Sequence, residues 1–147
     1  MPKVLFREVD GPQTAGEGQD TFGVVDLIAR AIRINTLMTT RHIGAAYSYV
    51  AKDAGNFFVA DAALTFTLPA AATFKGHHCW LVNGADTTLT LAGTAGELVT
   101  FNDVAANSLA LQTSSEKIGG GWHCVCDGTK WYCLPMTEET QTITVTT

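Results

Sequence analysis

A chain of 147 residues is long enough to bury one sizeable core and short for two domains. Nine basic against fourteen acidic side chains give a formal charge of −5, without the basic stripe that nucleic-acid binding needs, so DNA or RNA is not an expected partner. No run reaches the roughly 18 apolar residues of a membrane helix, and "MPKVLFREVDGPQ" has no apolar leader core, so a cytosol-like compartment with reduced thiols is expected.

"KVLFREV" (residues 3–9) reads as a short strand or an extended arm, and "DGPQTAGEGQD" after it as a loop. In "DTFGVVDLIARAIRIN", Val24, Leu27, Ile28, Ala31 and Ile32 recur at helical spacing, with Asp20 or Thr21 available as N-cap. One short amphipathic helix is predicted there. All four arginines fall in residues 1–44, and arginine is favoured at protein interfaces because its planar fork makes several hydrogen bonds at modest desolvation cost. Residues 1–44 are therefore expected to form a docking arm, with Val4, Phe6, Arg7, Arg30, Arg33 and Arg41 as candidate partner-binding residues.

From about residue 45 the period changes to two. "AYSYVAK", "NFFVAD", "LTFTLP", "HHCWLVN", "TTLTLAG", "ELVTF", "SLALQT", "GWHCVC", "KWYCLP" and "TITVTT" are short β-rich runs separated by Gly, Asn, Asp and Pro. The rhythm predicts an all-β body over residues 45–147, a jelly-roll-like antiparallel β-sandwich, carried on an extended N-terminal arm containing one short helix. "LTFTLP" and "TTLTLAG" alternate with leucine and phenylalanine inward and threonine outward. The closing "TITVTT" reads as an exposed edge strand.

"GWHCVCDGTKWYC" (residues 121–133) holds three of the four cysteines around an Asp-Gly step. A type I′ turn at Asp127-Gly128 would place Cys126 opposite Thr129, Cys124 opposite Trp131 and Trp122 opposite Cys133. Trp122, Cys124, Cys126, Trp131 and Cys133 then share one side, and His123, Val125, Lys130 and Tyr132 the other. "CVC" on a straight strand holds its sulfurs about 7 Å apart, which suits neither a Cys124–Cys126 disulfide nor a zinc loop. Zinc would need Cys79 or His77 as well, and a bridge from Cys79 to the hairpin is open. Packed reduced thiols are the favoured reading, with no cofactor and no metal. Adjacent His77 and His78 should point to opposite faces.

Four pieces in order, Asp53 to Gly55, "TFTLPAA" (residues 65–71), Gly76 before "HHCWLVN" and "DGTKWY" (residues 127–132), resemble a pattern of bacteriophage virion proteins, over about residues 45–135. The resemblance implies β-rich modules, commonly trimeric, used as capsid decoration or cement proteins or as repeats within tail fibres and spikes. It carries no catalytic residues. A short chain beginning at Met1 and ending after one module suits a capsid ornament better than a fibre subunit.

No nucleophile with a base, no paired acids and no phosphate loop has usable context, and Asp53 and Asp61 read as solvated loop acids. The expectation is a non-enzymatic phage structural protein, made in the host cytoplasm. It would form a homotrimer that binds the major capsid protein across capsomers and stabilises the expanded shell. The alternatives are a tail-fibre, tail-spike or baseplate component, or a carbohydrate-binding adhesion module, which would need Trp80, Trp122 and Trp131 on an open face.

Overall fold

The computed structural model describes residues 38–112 and 116–147. The helix expected within residues 20–35 and five of the candidate docking residues, Val4, Phe6, Arg7, Arg30 and Arg33, lie outside the described residues. Thr39–Thr147 forms a compact unit of its own.

The body is an all-β sandwich. Its strands are β1 (Thr40–Ile43), β2 (Tyr47–Ser48), β3 (Phe57–Ala60), β4 (Leu64–Thr67), β5 (His78–Asn83) and β6 (Leu89–Ala92), then β7 (Leu98–Thr100), β8 (Asp103–Ala106), β9 (Ser108–Leu111), β10 (Gly121–Cys126), β11 (Trp131–Met136) and β12 (Ile143–Thr146). Seven strands form a large sheet in the order β1-β3-β5-β10-β11-β7-β8, and five form a small sheet in the order β12-β9-β6-β4-β2. All ten β-rich runs of the sequence contain strands. β1 and β8 are additions, and β1 lies ahead of the boundary drawn at residue 45.

Strand direction separates the two halves of the chain. The first six strands alternate between sheets, and each pairs in parallel with the strand two before it: β1 with β3 and β3 with β5 in the large sheet, β2 with β4 and β4 with β6 in the small one. A parallel pair needs a crossover, and here the intervening strand of the opposite sheet supplies it. The second half closes mostly with antiparallel ladders, β10 on β5, β11 on β10, β9 on β6, β12 on β9 and β8 on β7, while β11 lies parallel to β7. The sheets are thus mixed, with antiparallel pairing concentrated in the C-terminal half.

Alternation fixes what goes inside. Leu64 and Phe66 of β4 are buried while Thr65 and Thr67 are exposed, and β6 repeats the pattern with Leu89 and Leu91. Between the sheets, Phe58 meets Phe66 at a ring-centroid distance of 4.9 Å, and Tyr49 meets Trp131 at 5.6 Å. Trp122, Trp131, Phe58 and Phe66 are fully buried, and each such aromatic contributes on the order of 2–3 kcal/mol of burial free energy. β5 and β10 come this close only because position 121 is glycine: a Cβ there would collide with the Leu81 carbonyl.

The first turn of this coil is closed by a carboxylate. Asp53, in a 3₁₀ turn over Ala51–Asp53, is fully buried, in contrast to the solvated loop acid expected. The Arg41 Nη1 donates to Asp53 Oδ1 at 2.7 Å and to the Tyr47 hydroxyl at 2.7 Å. The Tyr47 hydroxyl donates to Asp53 Oδ2 at 2.8 Å, and the Val50 N–H reaches the same oxygen at 3.0 Å. The Arg41 guanidinium also lies over the rings of Tyr47 and Phe58, at 4.9 and 5.6 Å. Removing it strands a buried charge, so Arg41→Ala should lower unfolding free energy by about 2 kcal/mol in urea titrations, discounted for the guanidinium's partial exposure. Unchanged stability would show that Arg41 serves something other than the fold.

Candidate protein-docking face

The C-terminal hairpin sets the centre of the large sheet. Its turn lies one residue beyond the expected place: the Asp127 N–H donates to the Lys130 carbonyl at 3.1 Å, leaving Gly128 and Thr129 at the tip. Asp127 Oδ1 accepts from the Thr129 and Lys130 N–H groups at 2.6 and 2.7 Å, which holds its carboxyl below the usual carboxylate range. Gly128 supplies the positive φ of 94°. Cys126 therefore faces Trp131, Cys124 faces Cys133 and Trp122 faces Pro135. Each partner is displaced by two residues from the expected register. An even displacement preserves the face, so Trp122, Cys124, Cys126, Trp131 and Cys133 all point into the core.

Cys79, Cys124 and Cys133 lie in one row across β5, β10 and β11. All four cysteines are free and buried, and no group of three or more metal-ligating side chains occurs among the described residues. Contact with the Cys133 and Cys79 thiols, together with burial, pushes the Cys124 thiol well above its ordinary value, and burial raises Cys126.

The opposite side of the same strands carries a different surface. Register places Phe57, Trp80, His123 and Leu134 in one row across β3, β5, β10 and β11. Val59, Val82, Gly121 and Met136 form a second row, and His78, Val125, Tyr132 and Val99 a third, reaching β7. None of these positions is Asp, Glu, Lys or Arg. Leu134 is 54% and Tyr132 41% exposed, and the rest of the face is mostly half-buried. Near its middle the rings of Trp80 and His123 stack in parallel at 4.4 Å, with His78 edge-on to Trp80 at 4.9 Å and 5.8 Å from His123. Burial, and then the neighbouring His78, lower the pKa of His123. His77 points the other way, its Nδ1 3.1 Å from the Tyr49 hydroxyl.

The small sheet's outer side is the contrast. Ser48, Thr65, Thr67, Thr90, Ala92, Ser108, Ala110, Thr144 and Thr146 occupy it, the usual composition of a β face in water. The sequence held this signal. "NFFVAD", "HHCWLVN" and "GWHCVC" are nearly continuous apolar runs, which mark strands covered on both faces, while the small-sheet runs alternate.

Of the expected docking residues, Arg41 is the described one, and it is committed to Asp53 and Tyr47 within the body. The tryptophans divide: Trp122 and Trp131 are core, the Trp131 indole donating to the Pro69 carbonyl at 2.8 Å, and Trp80 alone of the three is on the outer face. A sugar platform of three exposed tryptophans is therefore not what the fold builds.

Comparison with known proteins finds no match to the chain among family models, curated proteins or solved structures. The thiol row gives a direct check of this layer order. In native protein at neutral pH, all four cysteines should resist a water-soluble disulfide reagent, and all four should react once denaturant is added. Rapid native labelling of Cys124 or Cys133 would put the hairpin the other way out.

Proposed function

We propose that this protein is a structural component of a bacteriophage virion that decorates and cements the capsid, binding the major capsid protein on the outside of the shell. The observation that carries the reading is the contrast between the two outer faces: threonine and serine on the small sheet, and an uncharged aromatic and aliphatic surface on the large one. Extended apolar surface of this kind marks protein contact. It suits a part that works by being held in an assembly.

The resemblance to phage virion modules supports the same reading through its motif positions, which are joints of the body. Asp53 closes the first turn, Pro69 and Ala71 receive the hairpin, and Asp127-Gly128 shapes it. A ligand that binds only the expanded lattice stabilises that lattice by mass action, and several linked copies turn weak single contacts into firm attachment.

Residues 1–37 would make the attachment to the shell, with Arg7, Arg30 and Arg33 available to it. Full-length protein should co-sediment saturably with expanded shells of the phage that carries it, and should raise their resistance to heat. Protein lacking residues 1–37 should fold and stay in the supernatant. Equal binding by the shortened chain would remove the arm from this account, and no association of either form with shells would remove the capsid.

A further inference from the structure

We propose that the outer face of the large sheet is where a second copy of this chain docks, sheet against sheet, with the Trp80–His123 stack near the middle of the contact. The inference rests on reading the protein as an assembling part, and names the partner of its uncharged face.

Charge selects the partner. Residues 39–147 carry nine acidic and five basic side chains, so two bodies repel wherever their carboxylates are brought together. The three rows of the large sheet hold no carboxylate. Asp61, paired with His42 at 2.9 Å, sits beside the β1 edge, and Asp127 and Lys130 lie at the hairpin turn, so charge is kept to the rim. A basic partner would be drawn to the carboxylates elsewhere. The surface that matches an uncharged apolar face on an acidic body is another such face.

Area agrees with this. Each row crosses four strands at about 4.8 Å spacing, and three rows at about 6.7 Å span roughly 19 by 20 Å, or about 390 Å² of sheet per copy before side-chain relief is added. Two copies then cover about 800 Å² of sheet, which side-chain relief raises toward the roughly 1,000 Å² at which a contact becomes specific. Twisted sheets pack face to face at about 10 Å, inclined by about 30°, and half-buried valines flanking a raised aromatic stack suit such interdigitation. The contact is isologous, so it yields two-fold pairs in place of the trimer that the resemblance implies.

The histidines make the contact sensitive to acid. His78 on β5 and His123 on β10 have rings 5.8 Å apart inside the buried area. Of the elements that face them, β3 brings Phe57 and Val59, β7 brings Val99, and β11 brings Leu134 and Tyr132. Asp127, at the hairpin turn, raises the pKa of the Tyr132 hydroxyl. No acidic side chain on these rows offsets an imidazolium. Docking takes both rings further from water and favours the neutral form of His123, whose pKa is already lowered, so the pairing is complete above the ordinary histidine range and is lost as pH falls below it.

Sedimentation velocity on full-length protein, over about 1 to 100 µM, tests this at about pH 7.5 and about pH 5, on either side of the histidine value of about 6.5. A dimer is expected at the higher pH, weakened roughly tenfold or more by Trp80→Glu or Leu134→Lys, and by acidification. Near-UV circular dichroism on each variant keeps misfolding separate from loss of contact. His78→Gln with His123→Gln should keep the dimer and abolish its pH dependence. A monomer at the highest concentration, a trimer, or a dimer indifferent to both face substitutions overturns the proposal. Dimers that ignore expanded shells would leave this contact standing and remove the capsid reading; monomers that bind shells would do the reverse.

Discussion

One buried carboxylate holds the beginning of the fold in place. Asp53 accepts from Arg41 on β1, from Tyr47 on β2 and from the Val50 backbone, so a single side chain joins the first strand of each sheet to the turn that follows them. A parallel coil has no local hairpin to nucleate it, and its first circuit has only one neighbour to pair with. A charged group that must find three donors when removed from water penalises every arrangement except the one that closes that circuit. Phe58 and Phe66 then pack beneath Tyr47, at centroid distances of 5.4 and 5.7 Å, and the following strands add against a finished edge.

The C-terminal half is fastened to this coil at its other end by polar contacts around one short stretch. Pro69 and Ala71 follow β4, and their carbonyls accept from the Trp131 indole at 2.8 Å and the Cys126 thiol at 3.4 Å. The Ala71 N–H is taken by the Glu97 carboxylate, while the Glu97 carbonyl accepts the Trp131 N–H. Three segments far apart in sequence thus satisfy one another's backbone groups at a corner where neither sheet could do so. The "TLPAA" and "DGTKWY" pieces are the two halves of this corner.

Much of this was legible in the sequence, and the illegible part has a common cause. Alternation reports which side of a strand meets the core, so the inward residues of β4, β6, β10 and β11 could be read directly. It carries no information on the neighbouring strand or its direction, which is why short regularly spaced runs suggested hairpins where the chain makes parallel circuits. The misplaced turn illustrates the same limit: moving the tip from Asp127-Gly128 to Gly128-Thr129 changes every partner in the hairpin and leaves every facing intact. β1, "TRHI", was hidden because its partner lies 17 residues away and its Arg41 reads as a surface residue. Asp53 was misread for a related reason, since nothing local reveals that two of its donors arrive from other strands.

The uncharged face follows from the same rule applied to both sides of a strand. A strand with one wet face needs a polar residue at every second position, and β4 and β6 spend threonine there. β3, β5 and β10 put phenylalanine, valine, histidine and tryptophan at those positions. Their inward residues Phe58, Leu81, Cys124 and Trp122 already complete the core, so the outward set adds nothing to the inter-sheet packing. Half-buried Trp80, stacked on His123 and flanked by valines, is costly to leave in water and poorly suited to hydrating a sheet. A sequence that solves the solubility of one sheet with threonine and does not apply that solution to the other treats the second face as an interior, completed by contact with another protein surface.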